Sequence, residues 1–250
     1  MLSSFTLAAL DLVFPALCPV CQTILGAGRR DPLCGSCWSA ITRLGAPWCD
    51  VCGAAPAVSM SFGEPRRIGP VRPCPTCETD PPHYHYARSA AVYEGQLREA
   101  LHALKFSGRR ALAGPLAELV AEQCLASLPG GIEALIPVPL AREREWQRGF
   151  NQATLLARRI GRRLEVPTRP RWLTRTRATR PQSDLSASER RANVRGAFRA
   201  SHRVAGRHVL VVDDILTTGA TLDACARALR DAGVVRVGVL TVARVVHAAV

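Results

Sequence analysis

The amino-acid sequence predicts an α/β fold, a parallel sheet flanked by helices, preceded by a small metal-binding domain. Two observations predict the sheet and a third predicts the metal. From Ala87 onward, short apolar runs alternate with longer segments whose apolar residues recur at helical spacing. "HVLVV" (208–212) is apolar at every residue but the first, as a strand covered on both faces must be. Finally, eight of the ten cysteines form four Cys-x-x-Cys pairs, all before residue 80. A chain of 250 residues can bury a sizeable core in one or two domains. The composition changes after "DPPHYHY" (80–86), which places the domains at 1–86 and 87–250.

In chain order, "MLSSFTLAALDLVFPALC" reads as an amphipathic helix packed on the segment after it. It has no basic leader and carries Asp11 inside its apolar run, so neither a secretory signal nor a membrane span is expected, and a cytoplasmic location is. "RSAAVY" is a strand. "GQLREALHALKF" is a helix with Leu97, Leu101 and Leu104 on one side, and "RRALAGPLAELVAEQCLASL" is a second helix. "EALIPVP" is a strand ending among prolines. In "FNQATLLARRIGRRL", Leu156, Ile160 and Leu164 share one helix face and Arg158, Arg159, Arg162 and Arg163 the other. "HVLVV" is the buried strand, "TLDACARALRDAG" a helix stopped at Gly233, and "VRVGVLTVARVV" the last strand.

The cysteine pairs are Cys18 and Cys21, Cys34 and Cys37, Cys49 and Cys52, Cys74 and Cys77. A Cys-x-x-Cys turn presents two thiolates to one tetrahedral metal, and two turns complete a four-cysteine zinc site. A redox motif would occur once, and a disulfide framework needs an oxidising compartment. Two structural zinc ions are therefore expected, in a double zinc ribbon. Sequential pairing would join Cys18/Cys21 to Cys34/Cys37 and Cys49/Cys52 to Cys74/Cys77. An interleaved cross-brace would join Cys18/Cys21 to Cys49/Cys52. The sequential scheme closes the more compact loops. His83 and His85 are possible but unnecessary ligands, and Cys124 and Cys225 read as buried core thiols.

Charge is uneven. The chain carries +13 overall with a single lysine, Lys105. Residues 142–203 hold seventeen arginines against five acids, a net +12. Such a block suits a polyanion, either nucleic acid or a heavily phosphorylated small molecule.

"VLVVDDILTTGATL" (209–222) joins a strand to two acids and a small, hydroxyl-rich turn. A nucleotide-triphosphatase reading fails, because the Gly-x-x-x-x-Gly-Lys-Ser/Thr loop is absent. A phosphorylated sugar fits instead. Thr217, Thr218, Gly219, Ala220 and Thr221 offer backbone N–H groups, hydroxyls and a helix N-terminus to a phosphate dianion. Asp213 and Asp214, just before them, can accept hydrogen bonds from vicinal ribose hydroxyls.

This stretch is similar to the phosphoribosyl pyrophosphate (PRPP) signature of type I phosphoribosyltransferases. Together with the cysteine pairs, "IPVPLARERE" (136–145), "RGFNQA" (148–153), Gln182 and "RRANVRGAF" (190–198), the chain resembles the ComF/GntX family over nearly its whole length. That resemblance implies a type I phosphoribosyltransferase-like domain behind the ribbon, PRPP and Mg2+ as ligands, and a link to natural competence and DNA uptake. It implies that Pro137, Val138, Pro139 and Leu140 form the pyrophosphate loop. Arg142, Arg144 and Lys105 would add charge there, and Arg148 would join Asp213 and Asp214 in catalysis. Asn151, Gln152, Gln182, Arg190, Arg191 and Asn193 would supply the lid or acceptor side, although Asn151 could also simply cap a helix and Phe150 belong to the core.

Two functional classes fit these features. One is transfer of the phosphoribosyl group to an unnamed acceptor. The other is a PRPP-sensing or scaffold module that holds single-stranded DNA and a competence helicase or DNA-processing partner. In the second, bases would stack on Trp146, Trp172, Phe150 or the 83–86 stretch, and the four-arginine ridge would track phosphates. Only "HAAV" follows the last strand, so any hood over the acceptor must come from the ribbon or from residues 166–203.

Overall fold

A computed structural model describes residues 16–26, 32–55, 70–71, 73–177 and 187–246. Gln182 and all but the end of the expected N-terminal helix lie outside them. The ribbon domain contains α1 (Gly35–Ser39), β1 (Trp48–Cys49), β2 (Pro70–Val71) and α2 (Pro75–Thr79). The larger domain runs β3 (Tyr86–Val92), α3 (Gly95–Phe106), α4 (Ala113–Cys124), β4 (Ala134–Pro137), α5 (Arg142–Arg148) and α6 (Gln152–Leu164). It continues with β5 (Leu173–Arg175), α7 (Ala187–Val194), β6 (Phe198–Ala200), β7 (His208–Leu216), α8 (Ala220–Asp231) and β8 (Arg236–Arg244).

The main sheet is parallel, in the order β3-β8-β7-β4. Alternation along β7 sets its two faces. Leu210 and Val212 pack with Leu119 of α4 and with Leu156 and Ile160 of α6. Val209 and Val211 pack with Leu222, Cys225 and Leu229 of α8. Each such buried side chain contributes about 1.5–3 kcal/mol, so neither face is dispensable. Cys124 and Cys225 are buried in these two layers, as core thiols.

β7 extends further than its apolar run. Its ladder to β8 continues to the pair Leu216–Arg244, so Asp213 and Asp214 sit inside the strand and not after it. A short antiparallel ribbon, β5 with β6, stands beside the sheet with α7.

Neither outer strand is left bare. Arg43 bridges to Ala91 of β3, the Leu44 N–H donates to the Ala90 carbonyl at 2.9 Å, and the Val92 N–H donates to the Thr42 carbonyl at 2.9 Å. On β4, the Leu135 N–H donates to the Pro167 carbonyl at 3.0 Å, and the Arg169 N–H donates to the Leu135 carbonyl at 2.8 Å. The ribbon also docks through Arg244, whose Nη1 donates to the Cys52 carbonyl at 2.5 Å. His83 docks on α8: its N–H donates to Asp223 Oδ1 at 2.6 Å, and its ring Nδ1 lies 3.0 Å from the same atom.

Candidate active site and zinc centres

The cysteines settle their own pairing. Cys18, Cys21, Cys34 and Cys37 form one cluster and Cys49, Cys52, Cys74 and Cys77 another, with the sulfurs of each within 4.8 Å of one another. The sequential scheme is thus the observed one, and the cross-brace is excluded. His83 and His85 are engaged elsewhere: His83 with Asp223, and His85 through Nδ1, which accepts from the Val237 N–H at 3.0 Å.

Backbone amides aim at the sulfurs. The Cys37 N–H donates to Cys34 Sγ at 3.4 Å, and the Cys74 N–H to Cys49 Sγ at 3.2 Å. The Ser36 hydroxyl and the Cys37 amide lower the Cys34 thiol to about 6. Burial raises the Cys49 thiol, but the amides of Cys52, Cys74 and Val51 outweigh it and bring it to about 7. Each cluster thus holds a thiol that ionises readily, and four sulfurs at these separations suit tetrahedral zinc.

At the C-terminal ends of the strands lies a cleft of about 220 Å³. Its floor is Asp213 and Asp214 of β7. One wall is the loop Val138–Leu140 after β4, and the other is Thr217 and Gly219–Thr221 at the start of α8. This is the crevice where ligands bind in open parallel sheets. Gly219 sits at the N-cap with φ +79, a left-handed conformation that turns the chain sharply into α8. The α8 N-terminus then faces the cleft, with the positive end of its dipole toward an incoming anion.

The acids differ. Asp214 is 4% exposed, and its Oδ2 lies 2.5 Å from Lys105 Nζ, an ion pair without the directionality of a regular hydrogen bond. Asp213 accepts the Asp214 N–H at 2.9 Å. Burial, together with the neighbouring Asp214 charge, holds the Asp213 carboxyl well above its ordinary value. Lys105, expected on the pyrophosphate side, is therefore a partner of the acids. Replacing it by methionine breaks a buried pair, which costs about 3–5 kcal/mol when one partner stays charged. Chemical denaturation should show that loss in Lys105→Met, and adding Asp214→Asn should recover most of it. An unchanged midpoint in the single variant would show the pair to be energetically idle.

Other expected residues fall into place or move. Arg144 and Gln152 line the cleft. Pro137 is the buried end of β4, and Arg142 faces the neighbouring groove instead. Arg148 stands one residue back: its Nη1 donates to Gln152 Oε1 at 2.5 Å, and its guanidinium lies 5.4 Å above the Phe106 ring. It positions Gln152 and does not line the cleft. Asn151 caps α6, with Oδ1 accepting from the Ala153 N–H at 2.9 Å, while its Nδ2 donates to the Val138 carbonyl at 3.0 Å. Buried, it braces the Val138 loop from the start of α6. Phe150 is buried in the core.

The expected lid residues lie elsewhere. Thr218 and Arg191 line a second cleft, toward the zinc ribbon, where Arg191 pairs with Asp80 at 3.1 Å. Asn193 lies near the end of α7, where its carbonyl accepts from Arg177. Arg190 falls in the same helix. Arg175, missed in the sequence, lines the cleft from β5. Burial lowers its guanidinium from the ordinary value, with Arg144 adding to the effect. No periodic pattern marks so short a strand. Of the described part of the 166–203 segment, Arg175 of β5 lines the cleft.

A parallel sheet with this cleft at its strand ends, behind two four-cysteine clusters, defines a phosphoribosyltransferase-type domain joined to a double zinc ribbon. Residues 148–249 match the phosphoribosyl transferase domain and residues 9–78 the double zinc ribbon domain. The DNA utilization protein YhgH of Escherichia coli (strain K12) is 35% identical over 237 residues, 93% of this chain and 99% of that one. Competence protein F of Haemophilus influenzae is 41% identical over 115 residues, 45% of this chain and 50% of its own. Competence protein ComFC of Bacillus subtilis (strain 168) is 28% identical over 209 residues, 81% of this chain and 80% of its own. The chain belongs to the ComF family, and the two cysteine clusters are its structural zinc sites.

Proposed function

We propose that this protein binds PRPP in the 220 Å³ cleft and transfers its phosphoribosyl group to an acceptor. The observation that carries the reading is the convergence of three sites in one cleft: the α8 N-terminus, two adjacent carboxylates and the loop braced by Asn151. The 5′-phosphate takes the turn Thr217–Thr221. Asp213 and Asp214 accept the ribose hydroxyls. The pyrophosphate takes the Val138–Leu140 loop with Arg144. Asp213, a hard oxygen donor on the cleft floor, would help hold magnesium, which would offset the pyrophosphate charge.

In the transfer, the bond from the anomeric carbon to the pyrophosphate oxygen breaks, and its electron pair leaves with pyrophosphate. A lone pair of the acceptor forms the new bond and the acceptor's proton is released. Arg144 and Arg175 stabilise the charge growing on the leaving group, the kind of term that dominates such reactions. The alternative is PRPP sensing without transfer. Arg175 on the wall beside the cleft favours transfer, because with Arg144 it adds a second cation for the departing pyrophosphate.

The relatives' names attach DNA utilization and competence to this family, so we place the activity in handling of incoming single-stranded DNA, inside the cytoplasm, with a helicase or DNA-processing partner. Among the described residues, no helix is long and apolar enough to cross a membrane. Calorimetry with PRPP and magnesium, followed by a pyrophosphate-release assay with bases, nucleosides and single-stranded DNA, tests the proposal. Saturable binding with release supports transfer. Binding without release in every mixture leaves the sensing alternative, and no binding overturns both.

A further inference from the structure

Next to the cleft lies a larger groove of about 990 Å³, between α5 and the β5–β6 ribbon. Five arginines line it, Arg142, Arg144, Arg175, Arg177 and Arg199, against the single acid Glu143. Arg144 and Arg175 also line the sugar-phosphate cleft, so the two spaces share a wall. On the far side of β6, Arg199 and Phe198 border another groove of about 500 Å³, which adds Arg195 and Arg227 with one acid, Asp231. Shared arginine walls thus set three positively charged spaces side by side, a segmented trough from the cleft past α5 to the two sides of β6 and to α8.

We propose that this trough binds the phosphodiester backbone of a single nucleic-acid strand and leads it to the cleft. Its length decides between ligands. A small polyphosphate needs one cluster of cations, whereas here cations recur along three adjoining spaces, as charges do along a strand. The walls are held in place. Arg177 Nη2 donates to the carbonyls of Asn193 and Arg195 at 2.9 and 2.8 Å, which ties β5 to the end of α7. The Arg175 guanidinium lies 5.6 Å above the Phe198 ring, which ties β5 to β6. Trp146, on α5 one turn from Arg142, borders none of the three spaces but is 86% exposed, within the same helix as the groove-lining arginines.

The four-arginine ridge of α6 is the competing track. All four side chains are exposed, as the sequence predicts. Arg163, however, is paired with Glu118 at 3.0 Å, and none of the four lines the cleft or either groove. The ridge also lies on the α4 and α6 face of the sheet, opposite α8, and does not open into the cleft. A strand on the ridge would be far from any chemistry, and one in the trough would end at it. The trough's binding of a strand stands without the PRPP reading, and only the delivery step rests on it.

The test is fluorescence anisotropy of a labelled oligothymidylate across a salt series, with the wild type and two charge-reversed variants that retain zinc and a cooperative melt. Arg142→Glu with Arg199→Glu and Arg227→Glu should weaken binding on the order of a hundredfold and flatten the log–log salt slope by about 2, since each phosphate neutralised on a single strand contributes about 0.7. Arg158→Glu with Arg159→Glu and Arg162→Glu should leave both nearly unchanged. The opposite ranking, or equal losses, overturns the proposal. So does a nucleoside triphosphate that competes as well as the oligomer at equal phosphate concentration, because that marks a small-polyphosphate site. If the triple reversal does not fold, photo-cross-linking of an iododeoxyuridine oligomer to the wild type decides. Adducts should map to the peptides holding Trp146 or β5–β6, and adducts confined to α6 overturn the proposal. Calorimetry with PRPP alone is scored separately, so its failure removes the function above while leaving the trough standing.

Discussion

Replacing Asp213 and Asp214 together by asparagine is expected to abolish measurable PRPP binding in a chain that still folds. Both carboxylates face the cleft floor and are assigned to the ribose hydroxyls. A hydrogen bond to a charged group contributes about 1.5–3 kcal/mol, so losing two costs about 3–6 kcal/mol, on the order of a hundred- to ten-thousand-fold in affinity. The fold should be weakened but not lost: Lys105 loses its counter-charge and keeps only an amide dipole opposite it, while neutralising Asp213 removes a carboxyl that burial disfavours. Asp213 alone should work against stability. Its folded-state pKa is raised by burial and by the Asp214 charge. A group shifted that way stabilises the fold below its unfolded pKa and loses that contribution as pH rises through the folded value. Asp213→Asn should therefore melt higher than the parent near neutral pH, and the advantage should fade in acid. Calorimetric affinity that survives in a folded double variant would remove the ribose assignment.

Stripping zinc is expected to unfold the ribbon domain. Few of its described residues outside the cysteines are buried apolar ones, chiefly Leu25, Leu33 and Ile41, so burial alone cannot hold it. Zinc contributes about 10–16 kcal/mol to the folding of small cysteine modules. Metal analysis of the intact protein should return two zinc ions per chain, one for each cluster. After chelation, or with Cys49→Ser and Cys77→Ser, limited proteolysis should cut within the ribbon first. PRPP affinity should also fall, since the ribbon holds the first turn of α8 through His83 and Asp223. A chelated chain that resists protease and binds PRPP as before would make the metal ornamental.

The main sheet was legible because β4 and the first half of β7 are apolar on consecutive residues and its helices carry regular apolar faces. α3, α6 and α8 each present such a face, and the structure places them within a residue or two of the expected bounds. The end of β7 was not legible. Hydrophobicity stops at Val212, yet the backbone ladder runs on to Leu216, because pairing with β8 depends on N–H and C=O groups and not on side chains. Helix α5 was hidden for a related reason: "REREWQR" is polar nearly all round, has no apolar face to betray its period, and ends on Gly149 at φ +73. β5 and β6 have three residues each, too few for any alternation to show, and Arg175 was lost with them. The phosphate turn and acids were readable from residue type alone. The contacts of Arg148 with Gln152 and of Asn151 with the Val138 carbonyl are visible only in space.

The segments laid along the outer strands have a bearing on how this protein keeps company with others. A bare strand edge is a template on which another chain can grow, and soluble proteins guard such edges. Here residues 42–44 occupy the β3 side and residues 167–169 the β4 side, each with backbone hydrogen bonds already made. Strand-to-strand growth of the main sheet is thereby hindered at Ala90–Val92 and at Leu135, where the outward backbone groups are already paired. One guard belongs to the sheet's own domain. The other comes from the zinc ribbon, so the metal that folds the ribbon also keeps the β3 edge out of reach of a second chain.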